Sequence, residues 1–445
     1  MMKEIMLRMW YLVTMLLHAG AAATKEDGGG LPQQIHLAFA EEETAMRVSW
    51  ATQSNVEEEA VVYYGKRGNE NASKAIGTTE RFRQYVNMSH PLSPCNGCVD
   101  EYLHTSVMSG LEAGETYFYT IGSDSTTYEF VAGRGNERVG FTFAVYGDMG
   151  TTSPGEDRLP SVRLLEKDVA SGSIDGILHV GDLGYNLADN GGHTATDFMN
   201  IIQPIASKIP YMVCPGNHEG GTEFAGDFKH FYRRFDMPNK LEFSNNYYSF
   251  DVGPVHFIAL SSEAYFWQYW IVEQQYEFLK RDLASVNRTK TPWIVTFGHR
   301  PFYCSNKDSD DCTKEKSKMR TGLLGGLFAL EPLFHKHGVD LAFWAHEHSY
   351  ERLWPTYDGR VVNSSTDATN PYHNAAGTVH VVTGASGCRE GHDHFVHEPR
   401  GNWSAVRDSR YGYGRLRIEN ATHLHWEEIE DETGSIIDEF WLSKE

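Results

Sequence analysis

Two patterns of apolar and polar positions divide the chain. Between residues 34 and 132 the runs IHLAFA, MRVSWAT, AVVYYG, HTSVMSG, TYFYTIGS and YEFVAG are short, rich in β-branched and aromatic residues, and separated by turn signals. Little helical periodicity interrupts them, so this part predicts an all-β sandwich. From residue 139 the apolar runs FTFAVYGDMG, GILHVGDLGY, IPYMVCPGNHE, VHFIALSSE, WIVTFGHRPFY and VDLAFWAHEH each end in a polar cluster. Between several of them RLPSVRLLEKDVA, EQQYEFLKRDLASV and GGLFALEPLFHKHG carry helical periodicity. The alternation predicts an α/β domain of mixed sheets flanked by helices, with its functional residues beyond the carboxyl ends of the strands. VHVVTGASG and YGRLRIENATHLHWEEI return to strand character and close that domain.

The resulting divisions are a leader at 1–23, a polar, Gly-rich linker KEDGGGLPQQ, a β-sandwich over 31–135 and an α/β domain over 138–445. Within the sandwich, LEAGETYFYTIGS places Leu111 and Tyr117 as in the tyrosine corner of fibronectin type III-like modules, which this segment resembles. The leader has the basic residues Lys3 and Arg8, the apolar run MWYLVTMLL and then small residues, the layout of a signal peptide cleaved after Ala21 or Ala23. A membrane anchor needs an apolar span about twice as long. No second such run occurs, so stable membrane insertion is not expected.

Composition narrows the picture. At 445 residues, 40% hydrophobic and 22% charged, the chain has enough apolar material for two globular domains. Its net charge of -21, from 39 basic and 60 acidic residues spread along the chain, provides no basic stripe, which argues against binding nucleic acid through phosphates. Six glycosylation sequons begin at Asn71, Asn87, Asn287, Asn363, Asn402 and Asn420. They agree with export, to the extracellular space or to the lysosome. Cys95 with Cys98 and Cys304 with Cys312 are close pairs, for which local disulfides are expected in an oxidising compartment, while Cys214 in YMVC reads as a small core residue.

The strand ends carry the chemistry. Asp148 in YGDMG, Asp182 and Tyr185 in GDLGYN, Asn217 in GNHE, His299 in FGHRP, and His346 with His348 in AHEHSYER all follow apolar strands. Oxygen and nitrogen donors without a thiolate suit iron, manganese or zinc. Seven such residues can hold two metals if one carboxylate bridges, and a pair about 3.5–4 Å apart is the usual clamp for in-line displacement at phosphorus. Single fragments decide little: Gly-Asp recurs at Gly226-Asp227, and His-x-His also occurs at His335/His337, His392/His394 and His423/His425. The first of these three pairs reads as a helix end, the last as part of a strand, and His392 and His394 as residues of an outer pocket. It is the succession GDxG, GDxxY, GNHE, a strand-borne His and HxH that carries weight.

In that order the motifs resemble those of the metallophosphoesterases, and among them the purple acid phosphatases. The resemblance covers nearly all of the mature chain, and GHRPFYCSN is similar to the high-molecular-weight, plant-like members found in animals. It implies that Asp148, Tyr185 and His348 bind a ferric ion, that Asp182 bridges, and that Asn217, His299 and His346 hold a divalent iron, zinc or manganese ion. It further implies hydrolysis of a small phosphate monoester by a metal-bound hydroxide, with His218 orienting phosphate or protonating the leaving group. Glu347, Glu351 and Arg352 read as residues that orient the histidine pair. The sequence departs from the family in having Ala345 where Gly usually precedes the first His of HxH, and in lacking the histidines that plant members carry soon after His299. Two other activities fit the same motifs: a phosphodiesterase or nucleotide pyrophosphatase on the same site, and a catalytically silent secreted glycoprotein that binds partners.

Overall fold

The computed structural model describes residues 30–53, 59–68, 72–84, 97–133, 140–152, 159–220, 228–238, 245–362, 370–398 and 401–445. The leader, Asn71, Asn87, Asn363 and Cys95 lie outside the described residues.

The first domain is a sandwich of two antiparallel sheets. Its strands are β1 (Gln33–Phe39), β2 (Met46–Thr52), β3 (Val61–Lys66), β4 (Ser73–Ile76), β5 (Thr78–Arg83), β6 (Asp100–Met108), β7 (Thr116–Ile121) and β8 (Tyr128–Val131). They order as β1-β2-β6-β5 and β4-β3-β7-β8. β7 alternates, burying Tyr117, Tyr119 and Ile121 while their neighbours are partly exposed, as a sheet with one face in the core requires. The Tyr117 hydroxyl accepts a hydrogen bond from the Glu112 amide at 3.1 Å, which closes the tyrosine corner expected from the spacing.

β1 and β2 do not alternate and are buried on both faces. The second domain packs on β1, where the Ile35 amide donates to Gln203 Oε1 at 3.0 Å and Phe39 packs against Phe141 and Phe250, and it also meets the other sheet, where Tyr119 donates to the Ser207 carbonyl at 2.7 Å. One hydrophobic core therefore runs through both domains.

In the second domain β9 (Phe141–Tyr146), β10 (Gly176–Val180), β11 (Tyr211–Cys214), β12 (Tyr248–Val252), β13 (Val255–Ala259), β14 (Trp293–Phe297) and β15 (Leu341–Trp344) supply the apolar runs read above. β16 (Tyr350–Leu353), a small hairpin of β17 (Thr356–Tyr357) and β18 (Arg360–Val361), and β19 (Val379–Thr383) follow. β20 (Ser404–Asp408), β21 (Gly412–Ile418), β22 (His423–Glu430) and β23 (Ile436–Ser443) complete it. The strands form two mixed sheets, β11-β10-β9-β21-β22-β23 and β12-β13-β14-β15-β19-β16-β20. Aromatic contacts join them face to face, Phe143 on Phe257 at 5.0 Å and Phe343 on Trp426 at 4.8 Å between ring centres. β9, β10 and β11 run parallel, as do β13, β14, β15 and β19, so the loops that follow them open at one edge of each sheet.

Helix Pro160–Ser171 begins with proline at its first turn and stops at left-handed Gly172, and helix Val272–Ser285 also lies where periodicity expects it. The third expected helix is shorter than its pattern. It spans Leu330–His337, because Leu324, Gly325, Gly326 and Phe328 all have positive φ and form a turn closed by the Leu323–Leu327 bridge. His335 and His337 occupy its last turn, where cations suit the helix dipole. His423 and His425 lie on β22. A further helix, His193–Ala206, packs Phe198, Met199, Ile202 and Ile205 inward; left-handed Gly192 and the internal Pro204 obscured it in the sequence.

Cys304 and Cys312 form a disulfide, Cys98 is also disulfide-bonded, and Cys214 is a buried free thiol. Asn287, Asn402 and Asn420 are exposed.

Candidate metal centre

All seven donor residues singled out in the sequence converge at the seam between the two sheets. Asp148, Asp182, Tyr185 and Asn217 come from the loops after β9, β10 and β11, and His299, His346 and His348 from those after β14 and β15. The backbone at these turns is unusual. Asp148, Asp182, Tyr185 and His346 have φ of 56°, 49°, 56° and 72°, a left-handed region that non-glycine residues seldom occupy outside sites where the surroundings enforce it. Cross-sheet contacts enforce it here: the Gly147 amide donates to the Thr383 carbonyl at 3.0 Å, and the His346 amide to Asp148 Oδ2 at 2.8 Å.

The donors fall into two groups. In one, the Tyr185 hydroxyl lies 2.8 Å from His348 Nε2 and 3.2 Å from Asp148 Oδ1, and those two atoms are 3.4 Å apart. In the other, His299 Nε2 is 3.2 Å from both Asp182 Oδ2 and Asn217 Oδ1, and a ring nitrogen of His346 joins Asp182 and His299 within 4.8 Å. Asp182 is paired in the second group, and its charge acts on the Tyr185 phenol in the first.

Ring orientation suits metal binding. His299 Nδ1 donates to the Val180 carbonyl and His348 Nδ1 to the Gly391 carbonyl, each at 3.0 Å, so Nε2 is the nitrogen of each ring that faces the other donors. The packing leaves no room for a side chain at Gly181 or Gly216. A Cβ on Gly216 would stand 2.2 Å from Asp182 Oδ1, and one on Gly181 (φ 90°) would strike the His299 ring at 2.6 Å. Ala345 is accommodated without strain: the positive φ falls on His346, and the Ala345 methyl fills the space a side chain at Gly147 would need.

The electrostatics call for cations. Asp148 and Asp182 are 0% and 1% exposed. Burial acts to lower His299 and His348, yet the adjoining carboxylates override it: Asp182 brings His299 up to about 9 and Asp148 brings His348 up to about 12. Against the burial of its own carboxyl, Asp182 is held well below the usual carboxylate range, chiefly by His299. Burial and the nearby Asp148 and Asp182 push the Tyr185 phenol upward, so a cation is what would favour its phenolate. A mixed set of carboxylate, phenol, amide and imidazole donors in so acidic a pocket fits two hard or borderline metal ions.

His218 sits next to this set without joining it. Its Nδ1 pairs with Asn186 Oδ1 at 2.9 Å, its ring packs on Tyr185 at 4.3 Å, and its Nε2 lies 3.7 Å from both Asp182 Oδ2 and Glu390 Oε2. His392 stacks on Tyr411 at 3.8 Å and the His394 carbonyl accepts from the Lys307 amide, so neither belongs to the converging groups. Glu347 lies against the Cys312 sulfur at 3.0 Å, with a carboxylate oxygen within 4.8 Å of a His346 ring nitrogen and of Asp310, and its carboxyl is pushed up by burial and by Asp308. Glu351 accepts from the Ser305 amide and hydroxyl, and Arg352 pairs with Asp438.

Several residues here were not singled out in the sequence. Glu219 takes hydrogen bonds from the amides of Gly216, Asp182 and Leu183 at 2.7, 2.8 and 2.9 Å, tying the β10 and β11 loops together. Burial and Asp182 push its carboxyl up, while the three donors favour the ionised form. Its place directly after Asn-His in GNHE was the available signal. Asp310 lies 2.5 Å from His346 Nε2, and the buried Cys388 thiol lies 3.4 Å from His348 Nδ1; no motif marked either.

Comparison with known proteins agrees across the chain. Residues 32–136 match the model of the purple acid phosphatase N-terminal domain, residues 141–350 that of calcineurin-like phosphoesterases, and residues 377–439 that of the iron/zinc purple acid phosphatase-like protein C. The sequence is 40% identical over 444 residues to acid phosphatase type 7 of Mus musculus, covering 97% of this chain and 96% of the mouse protein. Purple acid phosphatase 22 of Arabidopsis thaliana is 32% identical over 420 residues, covering 92% and 85% respectively. The solved structure of purple acid phosphatase PPD1 from yellow lupin (Lupinus luteus) seeds aligns with a TM-score of 0.78 at 26% identity, over 94% of this chain and 75% of that one.

Proposed function

The chain belongs to the purple acid phosphatase family, and from that premise we propose that its seven converging donors hold two metal ions and that the protein hydrolyses small phosphate monoesters. The observation that carries this reading is the division of the donors into two groups, with Asp182 paired in one and its charge acting on Tyr185 in the other. Asp148, Tyr185 and His348 form the harder set and suit Fe(III), whereas Asn217, His299 and His346 offer neutral donors suited to divalent zinc, iron or manganese. Two such cations supply Lewis acidity at the attacking water and at the phosphoryl group.

The protein's own groups do the rest. Asp182 pairs through Oδ2 with His299, and its Oδ1 accepts from the His218 amide at 2.9 Å, which ties it to the loop carrying Asn217. His218, with Nδ1 committed to Asn186, keeps Nε2 facing the site, in position to orient phosphate or to serve the leaving oxygen. The Tyr185 ring packs against that imidazole at 4.3 Å. Export is supported by the leader pattern, by the Cys304–Cys312 disulfide and by exposed sequons. At Asn287 and Asn420 the side-chain oxygen accepts from the hydroxyl of the sequon's own Thr, leaving the amide nitrogen outward. Among the described residues no helix is long and apolar enough to cross a membrane.

Two measurements on protein purified from a eukaryotic host test the proposal. Hydrolysis of an aryl phosphate in acid should exceed that of a bis-aryl phosphodiester and of ATP; diester turnover far above monoester turnover would overturn the monoesterase reading. The oxidised protein should absorb visible light through phenolate-to-iron charge transfer, and Tyr185→Phe should lose that band. A colourless protein with both metal sites filled would remove Tyr185 from the ligand set, and less than one metal per chain without activity would leave the silent glycoprotein as the better account.

A further inference from the structure

The loop that follows His299 lacks the histidines of plant relatives, yet it reaches the metal centre by another route. It is closed on itself by the Cys304–Cys312 disulfide and delivers Asp310, whose Oδ2 lies 2.5 Å from His346 Nε2 and 3.2 Å from Arg300 Nη1. Arg300 is held in turn: its Nε donates to Glu263 Oε1 at 2.8 Å, its amide donates to Ser262 Oγ at 3.0 Å, and its guanidinium lies over the Phe266 ring at 4.5 Å.

Two partners compete for one nitrogen of His346. Arg300 Nη1 stands 2.7 Å from Nε2 and can only donate, so that contact would make Nε2 an acceptor and place the ring proton on Nδ1. Asp310 can only accept when ionised, so its contact makes Nε2 the donor and frees the Nδ1 lone pair. His299 and His348 reach the same outcome with backbone carbonyls on the ring nitrogen turned away from the site; among the described residues His346 has no such carbonyl and meets the Asp310 side chain instead. With Nε2–H directed at Asp310, that carboxylate also accepts from Arg300, and the pair neutralises itself at the mouth of the site.

We infer that Asp310 is a positioning residue for the second metal ion. It holds His346 as the Nε2–H tautomer so that Nδ1 is the ligating nitrogen, and the disulfide-closed loop 304–312 is the device that keeps it there. The inference rests on the two-metal reading above and concerns only the divalent site.

The test separates the two. Wild-type protein, Asp310→Ala, Asp310→Glu and the double variant Cys304→Ser/Cys312→Ser are stripped of divalent ion with a mild chelator and titrated with Zn(II), while the visible band reports the ferric site. Asp310→Ala should bind Zn(II) about 10–100-fold more weakly with the band unchanged, Asp310→Glu should recover part of the loss, and the double variant should fall between. Zn(II) affinity of Asp310→Ala within twofold of wild type would overturn the role of Asp310. An unweakened double variant would overturn the role of the disulfide. Loss of the band together with Zn(II) binding in every variant would show general collapse rather than positioning, and also count against it. A wild type that shows no band and takes up no Zn(II) would instead defeat the two-metal reading.

Discussion

Glu219 shows how a single buried side chain can hold a site it does not enter. Three amides converge on its two oxygens, one from the turn before Asn217 and two from the turn of Asp182. Glu219→Gln keeps the shape but replaces one acceptor by an amide donor that faces N–H groups. Leaving such groups unpaired costs about 1–3 kcal/mol, so the variant should melt at lower temperature and retain less metal after dialysis. An unchanged melting temperature with full metal content would mean the three bonds are incidental. The motif GNHE made Asn217 and His218 legible because each fits a chemical role; Glu219 was not, since its partners are backbone amides brought together only by folding.

At the scale of elements, the junction of β12, β13 and helix Val272–Ser285 carries a pH-dependent tie. His256 on β13 bonds Asp251 at 2.7 Å and Asp282 at 2.9 Å. Burial acts to lower its pKa, and the two carboxylates outweigh burial and bring it up to about 9. Since the folded value lies above the unfolded one of about 6.5, the stabilisation is fully present below about pH 6.5 and fades as pH rises through about 9. Its ceiling is about 3 kcal/mol. Denaturant unfolding of metal-loaded protein at pH 6 and at pH 9.5 should therefore differ more in wild type than in His256→Gln, and equal differences would refute the assignment. Strands and the helices Pro160–Ser171 and Val272–Ser285 were readable from periodicity. The start of helix Leu330–His337 was not, because a left-handed turn overrides an apolar pattern that reads as helical from Gly325.

For the whole molecule the central question is how two domains act as one. Arg234, from helix Lys229–Arg234, lies 2.6 Å from Glu101 on β6, and Gln34 on β1 bonds both partners, with the two charged side chains 1% and 5% exposed. Removing one member strands a buried charge at a cost of about 3–5 kcal/mol, whereas replacing both with apolar groups is far milder. Glu101→Ala should lower stability by that amount and Glu101→Leu/Arg234→Met by much less. Because one core spans both domains, each protein should unfold in a single transition. Separate melting of the two domains in wild type would show that the interface does not couple them.

Sequence alone determined the two-domain order and the strand-end character of the donor motifs, and it singled out seven candidate donor residues. It could do so because strand and helix periodicity, turn chemistry and donor type are local properties of the chain. Tertiary structure decided what no local pattern holds. Three donor-bearing loops come from one sheet and two from the other, so the centre exists only where the sheets meet. Ring tautomers follow from carbonyls and a carboxylate remote in sequence: Val180 for His299, Gly391 for His348 and Asp310 for His346. The acidity of the pocket arises because packing takes Asp148 and Asp182 out of water together, and desolvation of charge depends on where a residue is buried rather than on its neighbours along the chain.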